Sequence, residues 1–141
     1  MRNPDCIFCK IIAGEIPSVQ VYGDDRVVAF LDINPIAPGH TLLVPREHHA
    51  TLPETPPEVL AALMAAARPV AQGLLAATRG EGFNFFQFNG ACSGQEVMHL
   101  HFHLIPRRAR DGVSFQWKQG RYREGEMAAL GERIRGAIRC V

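Results

Sequence analysis

Residues 99–105 read His99-Leu100-His101-Phe102-His103-Leu104-Ile105, imidazole alternating with bulky apolar side chains. A strand separates the two sets, because its side chains project to opposite faces with a period of two. His99, His101 and His103 then share one face, while Leu100, Phe102 and Leu104 enter a core on the other. Slipping the register by one residue would bury all three imidazoles, so the pairing is strongly specified. The spacing predicts a strand over Leu100 to Ile105, ended by Pro106.

The remaining segments supply a sheet and helices to cover it. Val19 to Tyr22 and Arg26 to Leu31 read as two strands around Gly23-Asp24-Asp25, a hairpin signal. Thr41 to Val44 is a third strand, stopped by Pro45, and Gly82 to Asn89 a further one. Asp5 is placed to cap a short helix through Ile7, Phe8, Ile11 and Ile12, with Gly14 ending it. Pro57 to Thr78 is the longest helical pattern, which Pro69 should kink or divide. Glu126 to Arg139 carries apolar residues at 127, 130, 134 and 138 and reads as a C-terminal helix. About five strands joined by short turns, with helices packed on them, define an α+β fold with an antiparallel sheet. A chain of 141 residues suits one hydrophobic core, so residues 1–141 are read as a single domain.

Three histidines on one strand face are compatible with a solvated surface as well as with a site. The approach to the strand favours a site. Asn89-Gly90 and Gly94-Gln95-Glu96 bring flexible backbone and an amide close to the imidazoles, as an anion pocket would. Neutral imidazole is available near pH 7 and is nucleophilic. A neighbouring histidine can donate to a phosphoryl oxygen and stabilise developing charge. The four cysteines include Cys6-x-x-Cys9, which alone suits zinc, redox chemistry or coincidence. No strand precedes the pair, unlike a thioredoxin-type site. The formal net charge of +1 excludes a global field for nucleic acid or a membrane surface, so a phosphate-bearing ligand needs a local pocket. No signal peptide is recognised, no stretch is read as approaching transmembrane length, and the cytoplasm is the expected compartment.

The run from Gly94 to Arg107 resembles the signature of the histidine triad superfamily. Cys6 to Pro17, Phe30 to Ile33 and Pro38 to Leu42 resemble the same family's bacterial members. The resemblance implies a histidine triad fold with a short N-terminal, a long central and a C-terminal helix. It implies a purine nucleotide hydrolase of the nucleoside phosphoramidase kind, cleaving at the α-phosphate through a nucleotidyl-histidine. His101 is then the nucleophile, with His103 and Gln95 acting beside it. Asn89, Gln95 and His103 would hold the phosphate, and Asp32 the ribose hydroxyls. Ile7, Phe8, Ile11, Phe30 and Ile33 match the purine cleft, although the sequence alone favours plain core for Ile11 and Ile33. Structural zinc would be held by Cys6, Cys9, His48 and His99, with His49 as the alternative to His48. His40 reads as a turn or strand-start residue. The resemblance implies a homodimer and no organic cofactor. Glu96 stands where some branches carry a hydroxyl residue, which leaves the leaving group open. Related readings are a dinucleoside polyphosphate hydrolase, a nucleotidyltransferase, or a nucleotide-binding interaction module.

Overall fold

A computed structural model describes residues 2–138. In chain order the main elements are α1 (Ile7–Ile12), β1 (Gln20–Gly23), β2 (Val27–Leu31), β3 (Thr41–Pro45), α2 (Pro57–Thr78), β4 (Gly82–Phe86), β5 (Phe102–Arg107) and α3 (Glu126–Ile138). Short 3-10 turns occur at Leu52–Glu54 and Ala91–Ser93. The strands form one antiparallel sheet in the order β1-β2-β3-β5-β4, the expected α+β arrangement.

Alternation divides the interior between the two faces of this sheet. Val27, Ala29, Leu43, Phe102 and Leu104 face α2, which lays Val59, Leu63, Ala66, Val70 and Leu74 against them. That spacing of three and four residues makes one helical stripe. Each large side chain so buried contributes about 1.5–3 kcal/mol. Val28, Phe30, Leu42 and Val44 point the other way and meet Cys6, Phe8, Cys9 and Ile11 of the α1 region. The histidine face is therefore roofed by α1. His99 is fully buried and His101 nearly so, whereas the alternation alone left that face open.

Several boundaries differ from expectation, each for a local reason. β5 starts at Phe102, so His99 and His101 precede the ladder. At that point Pro45 O accepts the His99 side chain (2.9 Å), and Leu100 N–H donates to His49 O (2.6 Å). β5 also runs through Pro106, where it pairs with β4 alone and tolerates a residue without an N–H. β4 stops at Phe86 rather than Asn89. α2 continues through Pro69 as one 22-residue helix, neither divided there nor short of bilayer length. By length and composition α2 could cross a membrane, but here its stripe lies on the sheet.

Asp5 does not cap α1. Cys6 occupies the N-cap position without a side-chain cap bond, and the helix ends at Ile12 with Ala13 as C-cap and Gly14, whose φ is +76°, just beyond it. α3 forms as expected but buries no residue, with Met127, Ile134 and Ile138 all more than half exposed. Arg139, the expected end of that helix, and Cys140 lie outside the described residues.

The registers place one row of residues straight across the sheet. Phe30 pairs with Leu42, Leu42 with His103, and His103 with Phe86. All four therefore lie on the same face, with His103 between the β2 side and the β4 edge.

Candidate active site

His101 lies 6% exposed beneath Phe8, whose ring meets it edge-on at 5.1 Å. Its Nδ1 is 2.6 Å from the carbonyl oxygen of His99. A carbonyl can only accept, so Nδ1 carries the proton and Nε2 keeps its lone pair. Burial pushes the His101 pKa down, opposed by the His99 carbonyl and the charges of Asp32 and Glu96. The side chain is thus a neutral imidazole with one defined basic nitrogen.

The His103 ring lies 4.9 Å from that of His101. Ile36 N–H donates to His40 Nδ1 (3.3 Å), so the His40 proton sits on Nε2 and is donated to His103 Nδ1 (2.9 Å). The remaining proton of neutral His103 is therefore on Nε2, ready to donate to an anion. His40 was not expected to take part, yet it is 2% exposed and sets the His103 tautomer. A signal was available: His40, Leu42 and Val44 have one parity, and Leu42 faces His103. Gly39 permits the turn, since at its φ of +95° an added Cβ would meet Thr78 Cγ2 at 2.7 Å.

Burial, reinforced by neighbouring His101 and His40, lowers the His103 pKa to about 4, with Asp32 opposing. The unfolded side chain titrates near 6.5. Between these values the unfolded chain binds more protons, so this contribution to stability is complete above pH 6.5 and is lost as pH falls toward 4. Urea midpoints of the wild type and His103→Gln should therefore diverge over that window, the wild type losing more stability on acidification. Parallel pH profiles would contradict this.

Gln95 is buried, and its amide bonds to the protein itself. Its Oε1 accepts from Gly90 N–H (2.7 Å), and its Nε2 donates to the carbonyls of Ala50 (2.7 Å) and Val97 (3.1 Å). It braces the loop, where Gly94 takes a φ of +99°, rather than presenting a free amide. Asn89 Oδ1 accepts from Leu52 N–H (2.8 Å) while its Nδ2 donates to Gln87. Asp32 Oδ1 accepts from Asn34 N–H (2.9 Å), and its other oxygen lies 3.7 Å from His40 Nδ1. Phe8, Phe30 and Ile11 are core residues and Ile7 is about half exposed, whereas Ile33, expected in the core, is 91% exposed.

A second cluster adjoins the first. Cys6, Cys9, His48 and His99 each aim one ligand atom into a common space, while His49 lies outside it. His99 Nδ1 is 3.4 Å from Cys6 Sγ, 3.7 Å from Cys9 Sγ and 3.3 Å from His48 Nδ1, and Cys9 Sγ lies 3.5 Å from His48 Nδ1. Zinc bonds of about 2.3 Å to sulfur and about 2.05 Å to nitrogen give tetrahedral edges of roughly 3.5 Å for S···N and roughly 3.3 Å for N···N. The residues fit that ion. His99 donates its Nε2 proton to Pro45 O, which leaves Nδ1 unprotonated, and burial holds its pKa near 4. Asn3 N–H also reaches Cys9 Sγ (3.5 Å), a bond the sequence did not announce.

Alternating histidines that lead into β5 beside a Cys-His cluster, on a five-stranded antiparallel sheet, define a histidine triad protein. A family model for the HIT domain matches residues 13–110, and the chain belongs to that family. It is 45% identical over 107 residues to the adenylylsulfatase HINT3 of Arabidopsis thaliana, covering 76% of this chain but only 54% of the plant protein. It is 44% identical over 113 residues to the adenosine 5′-monophosphoramidase HNT1 of Saccharomyces cerevisiae, covering 79% of this chain and 69% of the yeast protein. Among solved structures, a HIT family member from Bacillus subtilis superposes with a TM-score of 0.87 at 37% identity, covering 94% of this chain and 96% of that one. A zinc-bound histidine triad protein from Mycobacterium smegmatis does so with a TM-score of 0.75 at 32% identity, covering 94% and 97%.

Proposed function

We propose that the protein is a hydrolase of adenosine monophosphate derivatives, acting at the α-phosphorus with a preference for phosphoramidates. The observation that carries this reading is the bond from His101 Nδ1–H to His99 O, which leaves Nε2 unprotonated beside His103. His101 Nε2 attacks phosphorus, the bond to the leaving group breaks, and that group departs with a proton taken from solvent, which the attacking water returns in the second step. Water then displaces the imidazole and releases the nucleoside monophosphate. His103 Nε2–H donates to a phosphoryl oxygen throughout, held by the chain from Ile36 through His40. Asp32 accepts from the ribose, Ile7 borders the purine over the Phe8 and Phe30 rings, and Gln95 and Asn89 shape the loop beside the phosphate. Zinc bound by Cys6, Cys9, His48 and His99 would join α1 to the segment carrying His101. Four protein ligands leave it no open position. The activities named for the plant and yeast relatives support this substrate class. The free thiols of Cys6, Cys9 and Cys92 suit a reducing cytoplasm.

The test is a side-by-side rate comparison on adenosine 5′-phosphoramidate, adenosine 5′-phosphosulfate and a diadenosine polyphosphate. The phosphoramidate should give the highest kcat/KM. A faster diadenosine substrate would shift the assignment within the family, and no release of adenosine monophosphate from any of them would overturn it.

We also propose a homodimer through β4 and α2. β4 is the sheet edge, with Phe83 and Phe85 each 38% exposed, and α2 presents Met64 at 43%. An open edge strand bearing apolar side chains favours a partner. Sedimentation at micromolar concentration should give a dimer, and a monomer would exclude this interface.

A further inference from the structure

We infer that the groove between β1 and the C-terminal half of α2 is a binding site for a medium-chain fatty carboxylate. Leu31 and Thr41 pair across β2 and β3 with the parity of Ala29 and Leu43, so they face α2, on the side of the sheet away from the histidines. There Val21, Leu31, Pro69, Val70, Gly73 and Leu74 line a cavity of about 430 Å³, a size that suits a small-molecule ligand. The polar groups of its wall are already paired. Thr41 Oγ1 donates to Gly39 O (2.8 Å), Thr78 Oγ1 to Leu74 O (2.8 Å) and Tyr22 OH to Asp24 (2.8 Å). What remains for an occupant is apolar surface, and Val21 and Leu31 at the wall are 53% and 37% exposed.

The wall supplied by α2 departs from ordinary helix chemistry. Proline and glycine are the residues least suited to a helix interior, yet Pro69 and Gly73 stand about one turn apart, both on the cavity. A Cβ on Gly73 would meet nothing within 4 Å, so close packing does not require glycine there, and its absence widens the groove. Departures of this kind from local preference fall at functional sites. The groove is also clear of the proposed dimer contact. Met64 precedes Gly73 by nine residues, which at about 100° each sets the two on opposite sides of α2. β1, the strand that supplies Val21, is the sheet edge remote from β4.

Charge at one end selects the ligand. A second cavity, of about 470 Å³, adjoins the first at Gly39, Ala77 and Thr78 and reaches Arg108. Arg108 donates to Thr78 O, which holds its guanidinium at the shared rim. Asp111, the acid beside it, is committed to Arg107 and to the backbone N–H groups of Arg108 and Val113. An apolar trough that ends at an arginine fits a fatty carboxylate. The chain lies along Pro69, Val70 and Gly73, and the carboxylate meets Arg108 through charge-assisted hydrogen bonds.

The test is calorimetric titration of the full chain with octanoate, with shorter carboxylates and with octanol. Octanoate should bind saturably at one site per chain, and each methylene added from butyrate upward should tighten binding about threefold. Gly73→Leu places a side chain in the open space and favours the helix, so it should abolish octanoate binding without lowering the melting temperature. Arg108→Gln should weaken octanoate about tenfold and leave octanol unchanged. Absence of saturable octanoate binding overturns the proposal, as does binding that survives Gly73→Leu. If Gly73→Leu melts below the wild type, Arg108→Gln decides. Equal octanoate binding by Arg108→Gln and the wild type removes the carboxylate from the assignment and overturns it. Binding that weakens as protein concentration rises gives the groove to a second copy of the chain, with the same consequence. None of these readouts involves turnover, so their failure leaves the hydrolase reading standing.

Discussion

Replacing His101 with alanine should lower turnover by roughly a thousandfold or more, about 4 kcal/mol of barrier, while nucleotide still binds. The substitution removes the only imidazole whose Nδ1 is engaged by the His99 carbonyl and whose Nε2 is left free beside His103. Losing a covalent route costs more than losing one stabilising contact, so His103→Ala should be the milder change. The intermediate gives a direct check. Mixing enzyme with a substrate bearing a good leaving group, quenching in base and measuring intact mass should show a nucleotidyl adduct on the peptide containing His101. Near-full activity in His101→Ala, or an adduct on His99 or His103, excludes the proposed mechanism.

The second large effect is expected at the Cys-His cluster. Protein purified without added metal should carry about one equivalent of zinc per chain, and Cys9→Ala should carry almost none. Structural zinc in small domains contributes on the order of 10 kcal/mol to folding, but this chain has a sheet core of its own, so a smaller loss follows. A melting temperature lower by roughly 10–20 °C corresponds to about 5 kcal/mol in a domain of this size. The cluster ties residues at 6, 9, 48 and 99, so its loss should loosen the attachment of α1 to the histidine face. Amide exchange in residues 6–13 should then accelerate more than in α2, whose packing is on the opposite face. Zinc below about a tenth of an equivalent, with both thiols reduced, would mean that the four-residue site does not hold the metal. Catalysis should tolerate partial metal loss better than folding does, because a closed site offers no Lewis acid position.

Much of this arrangement was legible in the sequence because it rests on local periodicity. The imidazole alternation announced a shared face for His101 and His103, and the turn at Asp24 announced the β1-β2 hairpin. Asp24 Oδ1 indeed accepts from the N–H groups of Arg26 and Val27. Expectations failed where a tertiary partner replaced a local one. Cys6 stands at the start of α1, and its thiol points into the metal cluster without capping the helix, so the position offered to Asp5 was already taken. Pro69 sits inside α2 because the stripe from Val59 to Leu74 is held against the sheet on both sides of it. The packing outweighs the hydrogen bond that a proline removes.

Composition and alternation by themselves determined an antiparallel α+β fold, the face that carries the histidines and the pairing of two cysteines near the N-terminus. Each of these depends on side-chain period or close spacing, which a linear chain displays. Only the tertiary structure decided that α1 covers the histidine face, that His40 donates to His103 across 63 positions, and that Gln95 is bonded to backbone. These depend on which strands become neighbours. The order β1-β2-β3-β5-β4 places β3 beside β5 and thereby brings His40 to His103; the parity of His40 with Leu42 marks its face but not the strand that lies opposite.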